Sequence, residues 1–258
     1  KAVSLSERVT PKEKVLIAAM ALRYTPEAPD DRRGLDSAYM EAMKQAHQQF
    51  PDDVDIAALY AESLMDMHPW DLWNKGGTPR PWTPEIIKAI EVTIHTNPNH
   101  PGGHHYYIHA LEASPYPEKA LASAKVFDDG LVAHAGHLVH MPSHIYINTG
   151  DYHLGSLANI NALKQDSLYV TQCHAYGAYP LAYYPHNYHF LAATATLEGK
   201  YSWAIDAAEK MAQHVNHKGM LIPDLATLQH FYAIPYFIRI KFGKWDEILR
   251  IGAPDTAL

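Results

Sequence analysis

Three observations predict an all-α chain built of paired helices. Apolar residues recur at three- and four-residue spacing through most of its length. No stretch alternates apolar and polar residues as a half-buried strand would; "SLYVTQ" comes nearest and reads better as the end of a helix. A short signature of glycine, any residue and an aromatic recurs as Gly150-Asp151-Tyr152, Gly199-Lys200-Tyr201 and Gly243-Lys244-Trp245, each time between two helical segments.

The first helix covers residues 12–24, "KEKVLIAAMALRY", with Thr10 as N-cap and Pro11 at the first helical position, where its missing N–H costs nothing. The loop "TPEAPDDRRG" follows. "LDSAYMEAMKQAHQQF" is a second amphipathic helix, stopped by Pro51. Asp52 and Asp53 open a third, "DDVDIAALYAESLMDM", where negative charge suits the helix N-terminus. Residues 68–84, "HPWDLWNKGGTPRPWTP", form a long loop whose tryptophans argue for order. "PEIIKAIEVTIHT" is helical again and ends before "NPNHPGG".

From here the repeat becomes visible. Three residues beyond each aromatic stands Gly155, Ala204 or Ile248, and "Pro115-Tyr116-Pro117" ending at Ala120 fits the same frame. The pattern resembles the tetratricopeptide repeat (TPR), a helix–turn–helix unit of about 34 residues that buries its apolar face only by stacking. The resemblance implies one right-handed α-solenoid domain over 1–258, divergent over 1–100 and clearer over 101–252. Its first helices would line a concave groove.

The chain carries 18 histidines and 17 tyrosines in 258 residues, and position decides what the histidines mean. With each turn residue (Pro115, Gly150, Gly199, Gly243) set at position fifteen of its repeat, the groove positions are two, five, nine and twelve. These follow helical spacing. They hold His105, His109 and Glu112 in the first repeat; His137, His140 and His144 in the second; His186 and His189 in the third; and His230 in the fourth. Neutral imidazole is the commonest metal ligand, and adjacent helices lie close enough for such side chains to share an ion. The expected ligands are His105, His109, His140, His144 and His189. Glu112, His137, His186 and His230 stand behind them as further ligands or supports. All-nitrogen ligation suits copper or zinc, with iron also possible; calcium or magnesium would require more carboxylates. The alternatives are histidines hydrogen-bonded in a core, or a groove that charges below pH ~6.5 and takes anions.

Pro142 and Pro235 both fall at position seven. Each is expected to kink its helix and to free the carbonyl four residues earlier, Leu138 or Phe231. Trp70 and Trp73 are candidates for a wall over the groove. Tyr106, Tyr107, Tyr183, Tyr184 and Tyr188 are candidates for its lining. Cys173 with His174 forms a weaker, softer ligand pair.

A net charge of −7 without a basic stripe argues against nucleic acid as a partner. No apolar run approaches the ~18 residues of a membrane span. The single cysteine excludes an internal disulfide. The start at Lys1 and the end at "IGAPDTAL" suggest a processed or partial chain. A soluble protein is expected, exported to the periplasm in preference to the cytoplasm. Phosphate loops, dinucleotide fingerprints and nucleophile elbows find no match.

"LYAESLMDMHPWDLW", "NPNHPGGHHYYIHALEAS", "HAGHLVHMPSHIYINTGDY" and "YYPHNYHFLAA" together resemble a group of bacterial, His-rich TPR proteins. That resemblance places His105, His109, Glu112, His140, His144, His186 and His189 on first helices. It also implies a further repeat segment before residue 1. The function expected is binding of one or two transition-metal ions. A metalloenzyme would be a copper or iron oxidoreductase or a zinc hydrolase. A peptide-binding scaffold and a non-catalytic metal store or chaperone are the alternatives, with a peptide or small molecule as partner in the groove.

Overall fold

The computed structural model describes residues 1–27 and 29–253. Ala28, in the expected first loop, and residues 254–258 of the expected partial end lie outside the described residues. Among the described residues all regular structure is helical, with one isolated bridge between Trp73 and Pro79. No helix among them is long and apolar enough to cross a membrane. The chain divides into two compact units, Lys1–Ser123 and Ala124–Leu258.

The first unit holds α1 (Pro11–Arg23), α2 (Arg33–Gln49), α3 (Val54–Met67), α4 (Thr83–Thr96) and α5 (Pro101–Leu111), each packed on the next. Local chemistry fixes the starts. Thr10 accepts the Glu13 N–H while the Glu13 carboxylate accepts the Thr10 N–H, a reciprocal capping box, and Pro11 follows at the first position. Asp53 caps α3 by accepting the Ile56 N–H at 3.0 Å. Helical periodicity sets the core: Tyr39, Met43 and Ala46 on α2, and Ile86, Ala89, Ile90 and Thr93 on α4, are buried. Each fully buried large apolar side chain contributes about 1.5–3 kcal/mol.

The Trp/Pro-rich loop is ordered and ends at residue 82, since α4 takes Thr83. Trp73 donates its indole N–H to the Ala110 carbonyl at 2.7 Å, and Trp82 donates to that of Asp71 at 2.8 Å. The His68 and Trp82 rings stack 3.7 Å apart. Trp73 is thus a strut of the first unit's core. Trp70 is 87% exposed, at a φ of 54°.

A helix α6 (Leu121–Asp128) contains the boundary between the units. The second unit continues with α7 (Gly136–His140), α8 (Pro142–Thr149), α9 (Tyr152–Gln172), α10 (Tyr184–Leu197), α11 (Tyr201–His214), α12 (Thr227–Lys241) and α13 (Trp245–Ile251). "SLYVTQ" ends α9, as expected. The three glycine signatures share one physical form. Gly150, Gly199 and Gly243 take φ values of 90°, 81° and 66°. The following N–H returns to the carbonyl five residues back: Asp151 to Tyr146, Lys200 to Ala195 and Lys244 to Arg239, at 3.0, 2.9 and 2.8 Å. This is the helix-ending motif that glycine allows at positive φ. Small residues let the next helix approach. Ala192, Ala195, Ala204, Ala207 and Ala208 are fully buried around Met211.

The two prolines are not equivalent. Pro142 divides its segment into α7 and α8, whereas Pro235 sits inside an unbroken α12. The expectation that Leu138 loses its carbonyl partner is corrected. Met141 donates to it at 3.3 Å, tightening the last turn before the break into an i→i+3 bond.

Candidate metal centre

The break at Met141 leaves His140 and His144 one turn apart, on either side of Pro142. Their rings lie 4.7 Å apart and their Nε2 atoms 2.9 Å apart. His186, from the first turn of α10, brings its Nε2 to 3.1 Å from that of His140. His137 lies one turn before His140, with ring centroids 5.4 Å apart. One ring nitrogen from each of His137, His140 and His186 falls within 4.8 Å of the other two. Phe190, one turn beyond His186, closes one side, 4.9, 4.3 and 4.8 Å from the rings of His140, His144 and His186.

The protonation of His140 follows from its neighbours. Asn159 donates its amide N–H to the Gly155 carbonyl at 2.8 Å, which turns its Oδ1 toward His140 Nδ1 at 2.9 Å. An amide oxygen only accepts, so His140 carries its proton on Nδ1 and its lone pair on Nε2. Ser143 Oγ lies 3.1 Å from the same Nδ1. His140 is fully buried, and burial holds its pKa well below the usual imidazole value, with His144, His186 and His137 adding in the same direction. A neutral imidazole with Nδ1–H bonded to an amide oxygen is the form that ligates through Nε2.

A buried carboxylate supports this arrangement from behind. Asp166, fully buried on α9, accepts the Tyr179 hydroxyl at 2.5 Å and the Asn187 amide at 2.7 Å. Tyr179 also accepts the backbone N–H of His137 at 3.2 Å, and Asn187 directly follows His186. Burial pushes the Asp166 carboxyl above its usual range, opposed by these two hydrogen bonds. Gly136 is required here, because a Cβ at that position would lie 1.8 Å from Asp166 Oδ1. Tyr179 belongs to a single π turn, Tyr179–Tyr183, leading into α10, and Tyr183 packs edge-on against His137 at 4.7 Å. Asn159, Asp166, Ser143 and Tyr179 carry no signal in the groove frame. Only polar residues at otherwise apolar helix positions, such as Asn159 and Asp166 along α9, could have marked them.

The remaining candidates are described within their own units. In the first unit His105 and His109 pack edge-on with centroids 4.9 Å apart, and His109 Nδ1 lies 2.8 Å from Glu112 Oε1. In the second, His189 meets His230 at 5.3 Å, edge-on. The sequence places His189 ahead of His186; the structure brings His186, not His189, to His140. Tyr184 and Tyr188 belong to the apolar core of the second unit, and Tyr106 and Tyr107 pack on that of the first. Cys173 is exposed at the end of α9.

Burial, then the neighbouring His230, lowers His189 to about 4. The unfolded histidine titrates near ~6.5. As pH falls, the unfolded chain therefore takes up this proton first. Stability is retained above ~6.5 and lost progressively down to about 4. At ~1.4 kcal/mol per unit the loss reaches about 3 kcal/mol. His189→Gln should show a correspondingly smaller fall in urea midpoint between pH 7 and pH 4.5. An equal fall in both proteins would place the titrating group elsewhere.

No protein-family model matches the chain, and no curated protein matches it in sequence. Among solved structures it is similar to a thermophilic TPR protein of Thermus thermophilus, known from a crystal structure. The TM-score is 0.55 at 14% identity, over 88% of this chain and 99% of that one. The chain has a TPR-like, all-α fold. At this identity the likeness extends to the fold alone, so the chemistry of the TPR-like chain rests on its own residues.

Proposed function

We propose that the second unit binds a transition-metal ion, copper or zinc in preference to iron, through His140, His186 and His137, with His144 as a fourth nitrogen. The observation that carries this reading is the approach of two histidine Nε2 atoms, at 2.9 and 3.1 Å, to an Nε2 of His140 that bears a lone pair. One lone pair accepts one N–H squarely; two approaching nitrogens suit a shared cation better. Nitrogens ~2.0 Å from a tetrahedral ion lie ~3.3 Å apart, so the His140–His144 and His140–His186 pairs need shifts of only a few tenths of an ångström, while His137 starts within 4.8 Å of His140 and His186. Burial and the neighbouring imidazoles keep His140 neutral, and a neutral imidazole ligates without first releasing a proton. Were His144 to yield its place, the three remaining imidazoles would leave a position open to water or dioxygen. A copper or iron oxidoreductase or a zinc hydrolase is the enzymatic form of this reading, and a metal store the non-catalytic one. Membership in the His-rich bacterial TPR group belongs to the same proposal.

The test is metal analysis of protein purified without a histidine tag or nickel column, followed by reconstitution. About one equivalent of copper or zinc is expected, with a rise in melting temperature that chelation reverses. Less than about a tenth of an equivalent, with no gain on reconstitution, would remove the proposal. The TPR-like fold favours a second reading, a peptide-binding scaffold. That reading predicts peptide capture unaffected by chelation.

A further inference from the structure

A cavity of about 260 Å³ lies beside the histidine cluster, lined by the run His134–Leu138 with Tyr169 and Tyr179. Among the described residues that line it, none is Asp, Glu, Lys or Arg. Another cavity of the same unit, by contrast, is edged by Lys164, Asp206 and Lys210. The aromatic wall of the cavity beside the histidines is built from Tyr169 and Tyr179, edge-on at 5.1 Å. Gly136 contributes backbone without a side chain, and His137, a member of the cluster, forms part of the floor.

The polar groups narrow the ligand further. The Tyr179 hydroxyl is committed to Asp166 and to the His137 N–H, so it offers its ring rather than its oxygen. His134 Nδ1 lies 3.2 Å from Gln165 Oε1, an acceptor, which puts the His134 proton on Nδ1 and leaves Nε2 as an acceptor at the rim. Among the described lining residues an anion meets no Lys or Arg, and the nearby Asp166 carboxylate is taken up by Tyr179 and Asn187, while flat rings find edge and face partners. A cavity of ~150 Å³ already holds benzene. The volume here admits one substituted ring or a fused pair.

We propose that this cavity binds a small uncharged aromatic molecule bearing a hydroxyl or ring N–H, held against the wall of the two tyrosines and next to the proposed metal. The inference rests on the metal reading only for its role as a substrate site; binding itself does not require the ion. A metal store has no use for such a cavity, so an occupant would favour the enzymatic form.

Calorimetric titration of the intact protein with 4-methylphenol and with indole, after chelation and again after copper loading, tests it. Both compounds should bind in both states, and benzoate at least tenfold more weakly. Ala135→Phe fills the cavity and Tyr169→Ala removes a wall. Each should weaken binding at least tenfold while metal content and helical circular dichroism stay as in the parent. In copper-loaded protein the ring protons of bound 4-methylphenol should relax faster than in the chelated protein. Absence of binding by both compounds, equal affinity for benzoate, or unchanged affinity in both variants would overturn the site. If no copper is retained while the chelated protein binds 4-methylphenol as described, the metal reading fails and the cavity stands.

Discussion

His140→Ala should abolish metal retention, with affinity falling at least a hundredfold and the metal-dependent rise in melting temperature disappearing. A metal present at 100 times its Kd adds about 2.7 kcal/mol to stability, so the missing rise is well within reach of a thermal scan. His140 has the largest expected effect because it is the shared neighbour: its Nε2 faces both His144 and His186, and it is fully buried. Removing it also opens a cavity, so partial destabilisation is expected even without metal. Two further variants separate the effects. Asn159→Ala leaves all four imidazoles in place but removes the group that fixes the His140 tautomer, and supporting residues of this kind are worth 10–100-fold in affinity. His189→Ala should retain metal as the parent does, since His189 pairs with His230. Full affinity in His140→Ala, or loss in His189→Ala alone, would refute the ligand assignment.

Gly136→Ala should destabilise the second unit by more than about 3 kcal/mol, a large cost for one methyl group. The new carbon would lie 1.8 Å from Asp166 Oδ1 and 2.7 Å from its Cγ. The carboxylate has nowhere to retreat: it is fully buried and tied to Tyr179 and Asn187. Moving it strands polar groups that have left water, and each such group costs about 1–3 kcal/mol. Urea unfolding measures the loss. Asp166→Ala alone should also destabilise, yet the double variant should be more stable than the sum of the two predicts, because shortening residue 166 makes room for the methyl. Strict additivity, or a cost below about 1 kcal/mol for the glycine substitution, would contradict this packing.

Much of the fold was legible because its signals are local. Thr10 and Pro11 announce a helix start within two residues, and Gly150, Gly199 and Gly243 announce its end through backbone geometry that other residues resist. The break at Met141 was only half legible. Proline signals a lost donor, but the i→i+3 bond that satisfies Leu138 depends on how α7 turns against α9 and α10. Helical spacing put histidines on shared faces but could not choose between His186 and His189. That choice is set by the rotation of α10, fixed by burial of Tyr184, Asn187 and Leu191. Asn159 and Asp166 escaped because a polar residue in a long helix reads as solvent-facing until its neighbours are known. The two residues that orient the cluster were therefore the least visible.

Gly155 shows what such concealment means for redesign. It occupies the small position of the repeat signature, where an added Cβ would lie 3.0 Å from Thr194 Cγ2. Its carbonyl also holds the Asn159 amide that decides which nitrogen of His140 bears the proton. A protein engineer regularising the scaffold toward consensus would treat this position as filler. Any shift of its backbone would pass through one amide to one imidazole, so the architecture cannot be idealised at residue 155 without retuning the centre that α9 packs against.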